Sequence, residues 1–185
     1  MVAAQVPETP AEPASSLETI YVKLQWTAPS ANFAAIVAYQ IWIKDSAGLY
    51  IEELVHCDGS QQIVIDALDC RIPMTALWAA PFNLAQGALV SAKVRARNAR
   101  GWSATSPANA LGAAVATVPH QMVAPTRGAT TTDTTIQVDW LATSTPEDGG
   151  SPVLGYALYS DDATGEASWV ELAGETALYA ATTFT

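Results

Sequence analysis

Few side chains in this sequence are equipped for chemistry, and most of them fall in one stretch. Two histidines and two cysteines occur in 185 residues, and three of the four lie within residues 56–70: His56, Cys57 and Cys70. An even cysteine count in a small unit reads as one disulfide, joining the end of one strand to the start of the next, and a disulfide implies an oxidising compartment. The alternative is two buried free thiols. A metal site built from His56, Cys57, Asp58 and Cys70 would lack the paired short spacings that zinc ligation uses. His120 stands alone between Pro119 and Pro125. No serine-nucleophile motif, phosphate loop or His-x-x-x-His pair is present. Residues 161–166, Asp-Asp-Ala-Thr-Gly-Glu, miss the alternating ligands and distal Glu of a calcium loop, and read as a hairpin turn. The expectation is a chain without catalysis, metal or cofactor, so its chemistry must be the chemistry of surfaces.

The residues best suited to such a surface are Lys93, Arg95 and Arg97. They alternate with Ala92, Val94 and Ala96 in residues 88–107, a period of two that makes a strand with one buried and one wet face. Asn98-Ala-Arg-Gly101 breaks that strand with turn chemistry, and Trp102 begins the return. Residues 36–44 form a second alternating strand, with Val37, Tyr39, Ile41 and Ile43 inward and Gln40, Trp42 and Lys44 outward. The two strands are expected to be neighbours, which puts Trp42 on the same outer face as the three cations.

Other strands must surround these two. The Pro-rich residues 6–13 read as an extended edge strand, because proline cannot donate to a ladder. Residues 19–27 alternate around Ile20, Val22, Leu24 and Trp26. Further strands are expected at 49–55, within 68–77, and at 112–118, with 79–84 as a loop packing over one end. The pattern then restarts: Trp26, Tyr39, Gly48 and Leu54 are answered by Trp140, Tyr156, Gly165 and Leu172. Regular strands separated by turns, with almost no helical periodicity, predict an all-β protein of two β-sandwiches in tandem. The organisation expected is a Pro-rich segment at 1–16, a first domain at 17–120 and a second at 121–185. A sandwich of this kind needs about 100 residues. The second is therefore expected to be incomplete, without counterparts of the strands at 90–106 and with exposed edges and half a core.

Half the chain is hydrophobic, enough for a core, and its net charge is −10. An acidic chain is a poor partner for nucleic acid, since phosphate binding needs a basic surface. Residues 1–121 hold seven Lys/Arg against nine Asp/Glu, and residues 122–185 hold one, Arg127, against nine. Such asymmetry suits head-to-tail attraction between copies, and it also suits a plain solvated surface. No apolar run is long enough to span a bilayer, and residues 1–16 lack the basic and apolar regions of a signal peptide. No Asn-x-Ser/Thr sequon occurs, whereas the Thr-rich stretches 130–135 and 143–146 are open to O-linked glycans.

Trp26/Tyr39, Trp140/Tyr156, the loop 147–152 and Val94-x-Ala96-x-Asn98-x-x-Gly101 together resemble the fibronectin type III domain. Cys57-Asp-Gly-Ser, Asp69-Cys-Arg-Ile-Pro73, Leu77, Pro81-Phe-Asn-Leu84, Gly87 and Val90-x-Ala92 are similar to a variant found in tandem-repeat surface proteins of single-celled eukaryotes. Two features depart from the common type III pattern: Val90 stands where a Tyr usually closes a corner, and the Cys pair is foreign to most members. Trp102-Ser-Ala-Thr-Ser106 resembles a degenerate Trp-Ser motif of cytokine-receptor type III domains. That likeness implies a cation–π stack of Trp42, Arg95, Trp102 and Arg97 beside Lys93; a plain basic face meeting solvent or an acidic neighbour is the alternative. The family likeness implies an extracellular or cell-surface structural module of a fibre or filament. Its expected partners are other copies of itself or adjacent type III domains, with residues 1–13 one candidate strand donor. The alternatives are a receptor or adhesion ectodomain binding protein or glycan through Phe33 and Trp102, or an accessory module of a secreted enzyme.

Overall fold

A computed structural model describes residues 3–161 and 168–185. The chain divides into two compact units, Met1–Ala116 and Thr117–Thr185. The regular structure of both is mainly antiparallel strand.

The first unit is a two-sheet sandwich. One sheet holds β1 (Ala14–Glu18), β2 (Tyr21–Gln25) and β5 (Asp69–Pro73), in the order β1-β2-β5. The other holds β3 (Ile36–Lys44), β4 (Tyr50–Glu52), β6 (Ala92–Asn98) and β7 (Gly101–Trp102), in the order β4-β3-β6-β7. Three strands facing four, with β3 beside β6, agrees with the expected β-sandwich. Alternation along each strand buries one set of side chains between the sheets. Val22, Leu24 and Ile72 meet Tyr39, Ile41, Ile43, Val90, Val94 and Ala96 there, with Phe82 and Leu77 closing one end. The ring centroids of Trp26 and Tyr39 lie 5.4 Å apart, a tilted contact of the kind aromatic quadrupoles favour.

Several expectations needed correction. The edge strand is Ala14–Glu18 and not the Pro-rich run before it. Pro7, Pro10 and Pro13 are each buried, a three-residue spacing that suits a polyproline-type extended segment lying on the sandwich. That segment is bonded within its own unit: the Gln5 and Glu8 amides donate to the Asn32 and Ser30 carbonyls. Residues 3–13 are therefore already engaged, which argues against their role as a donated strand. Ile20 is exposed because it sits in the tight turn between β1 and β2, beside Thr19 at φ 53°. Val37 is also exposed, because the β3–β6 register slips between Ile36 and Ala38 and turns its side chain outward. Leu54 and Val55 are exposed beyond the short β4.

Two short helices were not foreseen: α1 (Gln62–Ala67) and α2 (Met74–Trp78). Each is under two turns long, too short to reveal a helical period. The last strand expected at 112–118 is reduced to a bridge between Leu89 and Ala114, with Ala113 and Val115 buried. Gly112, at φ +140°, is required there, because a Cβ would collide with Ser15.

The second unit repeats the plan in a sparser form. β8 (Thr126–Arg127), β9 (Val138–Asp139) and β12 (Thr183–Phe184) pair in the order β12-β9-β8, and β10 (Leu158–Asp161) pairs with β11 (Trp169–Ala173). Trp140 lies 5.9 Å from Tyr156 and 6.1 Å from Tyr179, between ring centroids. Among its described residues no hydrophobic side chain is buried; only Gly128 and Gly149 are. Ile136, Leu141, Leu154, Trp169 and Leu178 are all exposed. Residues 162–167, which hold Gly165 and most of the calcium-like run read as a hairpin turn, lie outside the described residues.

Candidate interaction face

The outer face of the four-stranded sheet gathers the cations and rings that the sequence separates by up to sixty positions. Antiparallel pairing sets Gln40 opposite Arg95 and Trp42 opposite Lys93, while Trp42 faces Glu52 and Lys44 faces Tyr50 across β3–β4. Arg97 faces Trp102 across β6–β7. All therefore point the same way.

The side chains interleave. The Arg95 guanidinium carbon lies 5.1 Å from the Trp42 ring centroid and 4.7 Å from that of Trp102. Arg97 lies 5.6 Å from Trp102, and Lys93 Nζ stands 4.1 Å over the Tyr50 ring. Arg95 Nε donates to Gln40 Oε1 at 2.7 Å, and Gln40 Nε2 donates to Glu52 Oε2 at 3.1 Å. A guanidinium between two ring faces, with its fork steered by an amide, is held in one rotamer. Tyr50 and the Gln40–Glu52 relay were not singled out in the sequence, although Gln40 was placed on the outer face. Lys44, Lys93, Arg95 and Arg97 make no ion pair with a described residue, in contrast to Lys23 and Arg71 on the other sheet.

Beside this face the sheet edge is closed by side chains. The Ala96, Val94 and Ala92 amides donate to Ser103 Oγ (3.1 Å), Ser106 Oγ (3.0 Å) and Asn109 Oδ1 (2.7 Å). Ser103, Ser106 and Asn109 are buried at a three-residue spacing against a two-residue spacing on β6. The segment thus carries one extra residue per repeat, as a bulge does, and offers no regular ladder to a further strand. Asn109 Nδ2 also reaches the Val90 carbonyl (3.0 Å) and Ser15 Oγ (3.2 Å). This network ties the chain at Val90 to β1. Asn98 is equally committed: its Nδ2 donates to the Gln5 (2.7 Å) and Ala31 (3.0 Å) carbonyls, and its Oδ1 accepts from the Arg100 amide (2.8 Å).

Cys57 and Cys70 form a disulfide, with Cα atoms 5.3 Å apart, and both are buried in the core. Neither thiol is available to a metal, and His56 Nδ1 lies 3.2 Å from Glu53 Oε1. The closed loop carries α1 across the sandwich. Asp58 anchors its start by accepting from the Ser60 hydroxyl, the Gln61 amide group and the Ser60 amide, which together hold its carboxyl below the usual aspartate range. Gly59 lets the loop backbone touch β3, because a Cβ there would sit on the Tyr39 carbonyl. These contacts account for Cys57-Asp-Gly-Ser as a unit. No group of three His, Cys, Asp or Glu able to hold a metal occurs among the described residues. No helix among them is long and apolar enough to cross a membrane.

In the second unit the hairpin β10–β11 repeats the register of β3–β4. Tyr159 faces Glu171 and Asp161 faces Trp169, in the places of Trp42/Glu52 and Lys44/Tyr50. Tyr159 and Trp169 line one shallow, open hollow. The Tyr159 hydroxyl, bonded to Glu175 and near Glu171, is pushed up to about 12.

No protein-family model matches the sequence, and no curated protein matches it. Among solved structures it is similar to titin kinase with its flanking domains, at 19% identity and TM-score 0.39 over 57% of this chain and 16% of that one. It is also similar to a structure named FN3tt mut, at 14% identity and TM-score 0.38 over 59% of this chain and 100% of that one. A third is the twitchin kinase region from C. elegans, at 18% identity and TM-score 0.36 over 56% of this chain and 16% of that one. The chain thus spans about a sixth of the titin and twitchin structures. The all-β sandwich stands on the strand order and core given above.

Proposed function

We propose that this chain is a non-enzymatic, extracellular structural module, one stretch of a surface fibre built from end-to-end type III sandwiches. The observation that carries the reading is the contrast between its two units. The first is closed, with a continuous core, a buried disulfide and a sealed sheet edge. The second keeps the same plan around Trp140 and Tyr156 but buries no hydrophobic side chain among its described residues. An apolar sheet face of this kind is stable only when other strands cover it, so the module is made to continue into a neighbour. The disulfide favours an oxidising compartment. The face of Trp42, Arg95, Trp102 and Arg97 serves as a stiffening clamp of the first unit.

Hydrogen exchange combined with sedimentation tests this reading. The expected result for the 19.4 kDa chain is strong amide protection in β2, β3, β5 and β6 and weak protection in β9–β11, rising once neighbouring strands are supplied. A monodisperse monomer whose second unit is as protected as its first would overturn it.

A further inference from the structure

The two units carry the same hairpin face, and in only one of them do described residues lay a cationic strand beside it. In the first unit, Trp42 and Tyr50 lie beneath Arg95 and Lys93 of β6, the strand paired to the inner edge of the hairpin. In the second, Tyr159 and Trp169 occupy the equivalent places, and Trp169 is 64% exposed. Among the described residues β10 pairs with β11 alone, so no described strand lies along its other edge. The sole Lys or Arg of residues 122–185 is Arg127, which sits in β8 of the other sheet, so the unit has no cation of its own for these rings.

The geometry points to a specific occupant: a β-strand that pairs antiparallel with β10 and carries Lys or Arg at every second position, with small apolar residues between. The cations would lie over Tyr159 and Trp169, as Lys93 and Arg95 lie over Tyr50 and Trp42. The small residues would turn inward toward Trp140, as Ala92, Val94 and Ala96 turn toward Trp26 and Tyr39. Charge complements shape. Lys44 of the first hairpin is replaced by Asp161, Glu171 and Glu175 flank the rings, and residues 122–185 hold nine acids against one base. Main-chain bonds supply affinity in such strand addition, and alternate side chains supply selectivity. This inference rests on the reading that the second unit is completed by further strands, and it adds the chemistry of the strand.

The test uses the full chain and a labelled peptide copying residues 89–99, which contain Lys93, Arg95 and Arg97. Binding is followed by fluorescence anisotropy. The expected result is saturable binding that weakens about tenfold or more when the three cations become Gln. A comparable loss is expected with the Trp169→Ala chain, and a further loss from about 0.05 M to about 0.5 M salt. Equal binding of the native and Gln peptides would overturn the cationic requirement while leaving strand completion intact. Absence of binding by either peptide would overturn both. Native-peptide binding unchanged by Trp169→Ala would place the strand elsewhere and overturn the assigned site.

Discussion

Arg95 and Trp102 are locked together from two directions. The guanidinium carbon sits 4.7 Å from the Trp102 centroid while Nε is held by Gln40 at 2.7 Å. A cation–π contact at a partly exposed site is worth about 0.5–2 kcal/mol. A double-mutant cycle of Arg95→Ala with Trp102→Leu should show coupling of about 1 kcal/mol in chemical denaturation. Arg95→Lys should recover only part of it, because an ammonium cannot stack on Trp42 while bonding Gln40 as a planar fork does. Additive single mutants would show that the stack contributes nothing.

Replacing Asn109 or Ser106 by Ala should be more damaging than their polar, loop-borne character suggests. Each removes the acceptor for a buried β6 amide, and leaving such a donor unsatisfied costs about 1–3 kcal/mol. Asn109→Ala should lie at the upper end, because its amide also serves Val90 and Ser15. Thermal melts would rank the pair. Exchange at the Ala92 and Val94 amides would show that the loss is local to β6.

Removing the disulfide, as Cys57→Ser with Cys70→Ser, should destabilise the first unit by about 3 kcal/mol, the chain-entropy value for a loop of this length. The damage should concentrate in α1 and β5, visible as new proteolytic cleavage between residues 58 and 69. An unchanged melting midpoint would contradict this.

Acid should loosen the same loop. The Asp58 carboxyl is held below its ordinary value of 3.8 by its bonds to Ser60 and Gln61. A carboxylate with a depressed folded pKa contributes stability that is complete above the unfolded pKa and fades as pH falls through the folded one. The wild-type minus Asp58→Asn stability difference should therefore hold steady down to about pH 4 and shrink below it. A difference independent of pH would show that Asp58 acts only as packing.

The alternating strands were readable because the rule behind them is short in range. Ile36–Lys44 and the inward set Val90, Ala92, Val94 and Ala96 show a period of two that survives burial. What stayed hidden came from longer-range or partial signals. Val37 turns outward because of a register slip that only pairing with β6 reveals. Helix α1 is six residues long and lies within the span between two joined cysteines, too short to show a helical period. In sequence Ser103 and Ser106 stand out only as part of a Trp-Ser-like motif and Asn109 not at all, yet their three-residue spacing is a sheet-edge device whose meaning depends on β6 lying alongside. Lys93 and Trp42 could be placed on a common face from the alternation, and Trp102 only through the resemblance; Tyr50 and the Gln40–Glu52 relay required the register of β4.

The sealing of β6 by Ser103, Ser106 and Asn109 leaves that strand committed at home and unavailable for exchange. Residues 3–13 are likewise bound at home, so neither segment is a spare strand for the open side of β10. Identical copies of these two segments cannot close that side for one another without unravelling a finished sandwich. On the proposed reading, the strand that covers β10 therefore comes from a stretch of polypeptide other than β6 or residues 3–13.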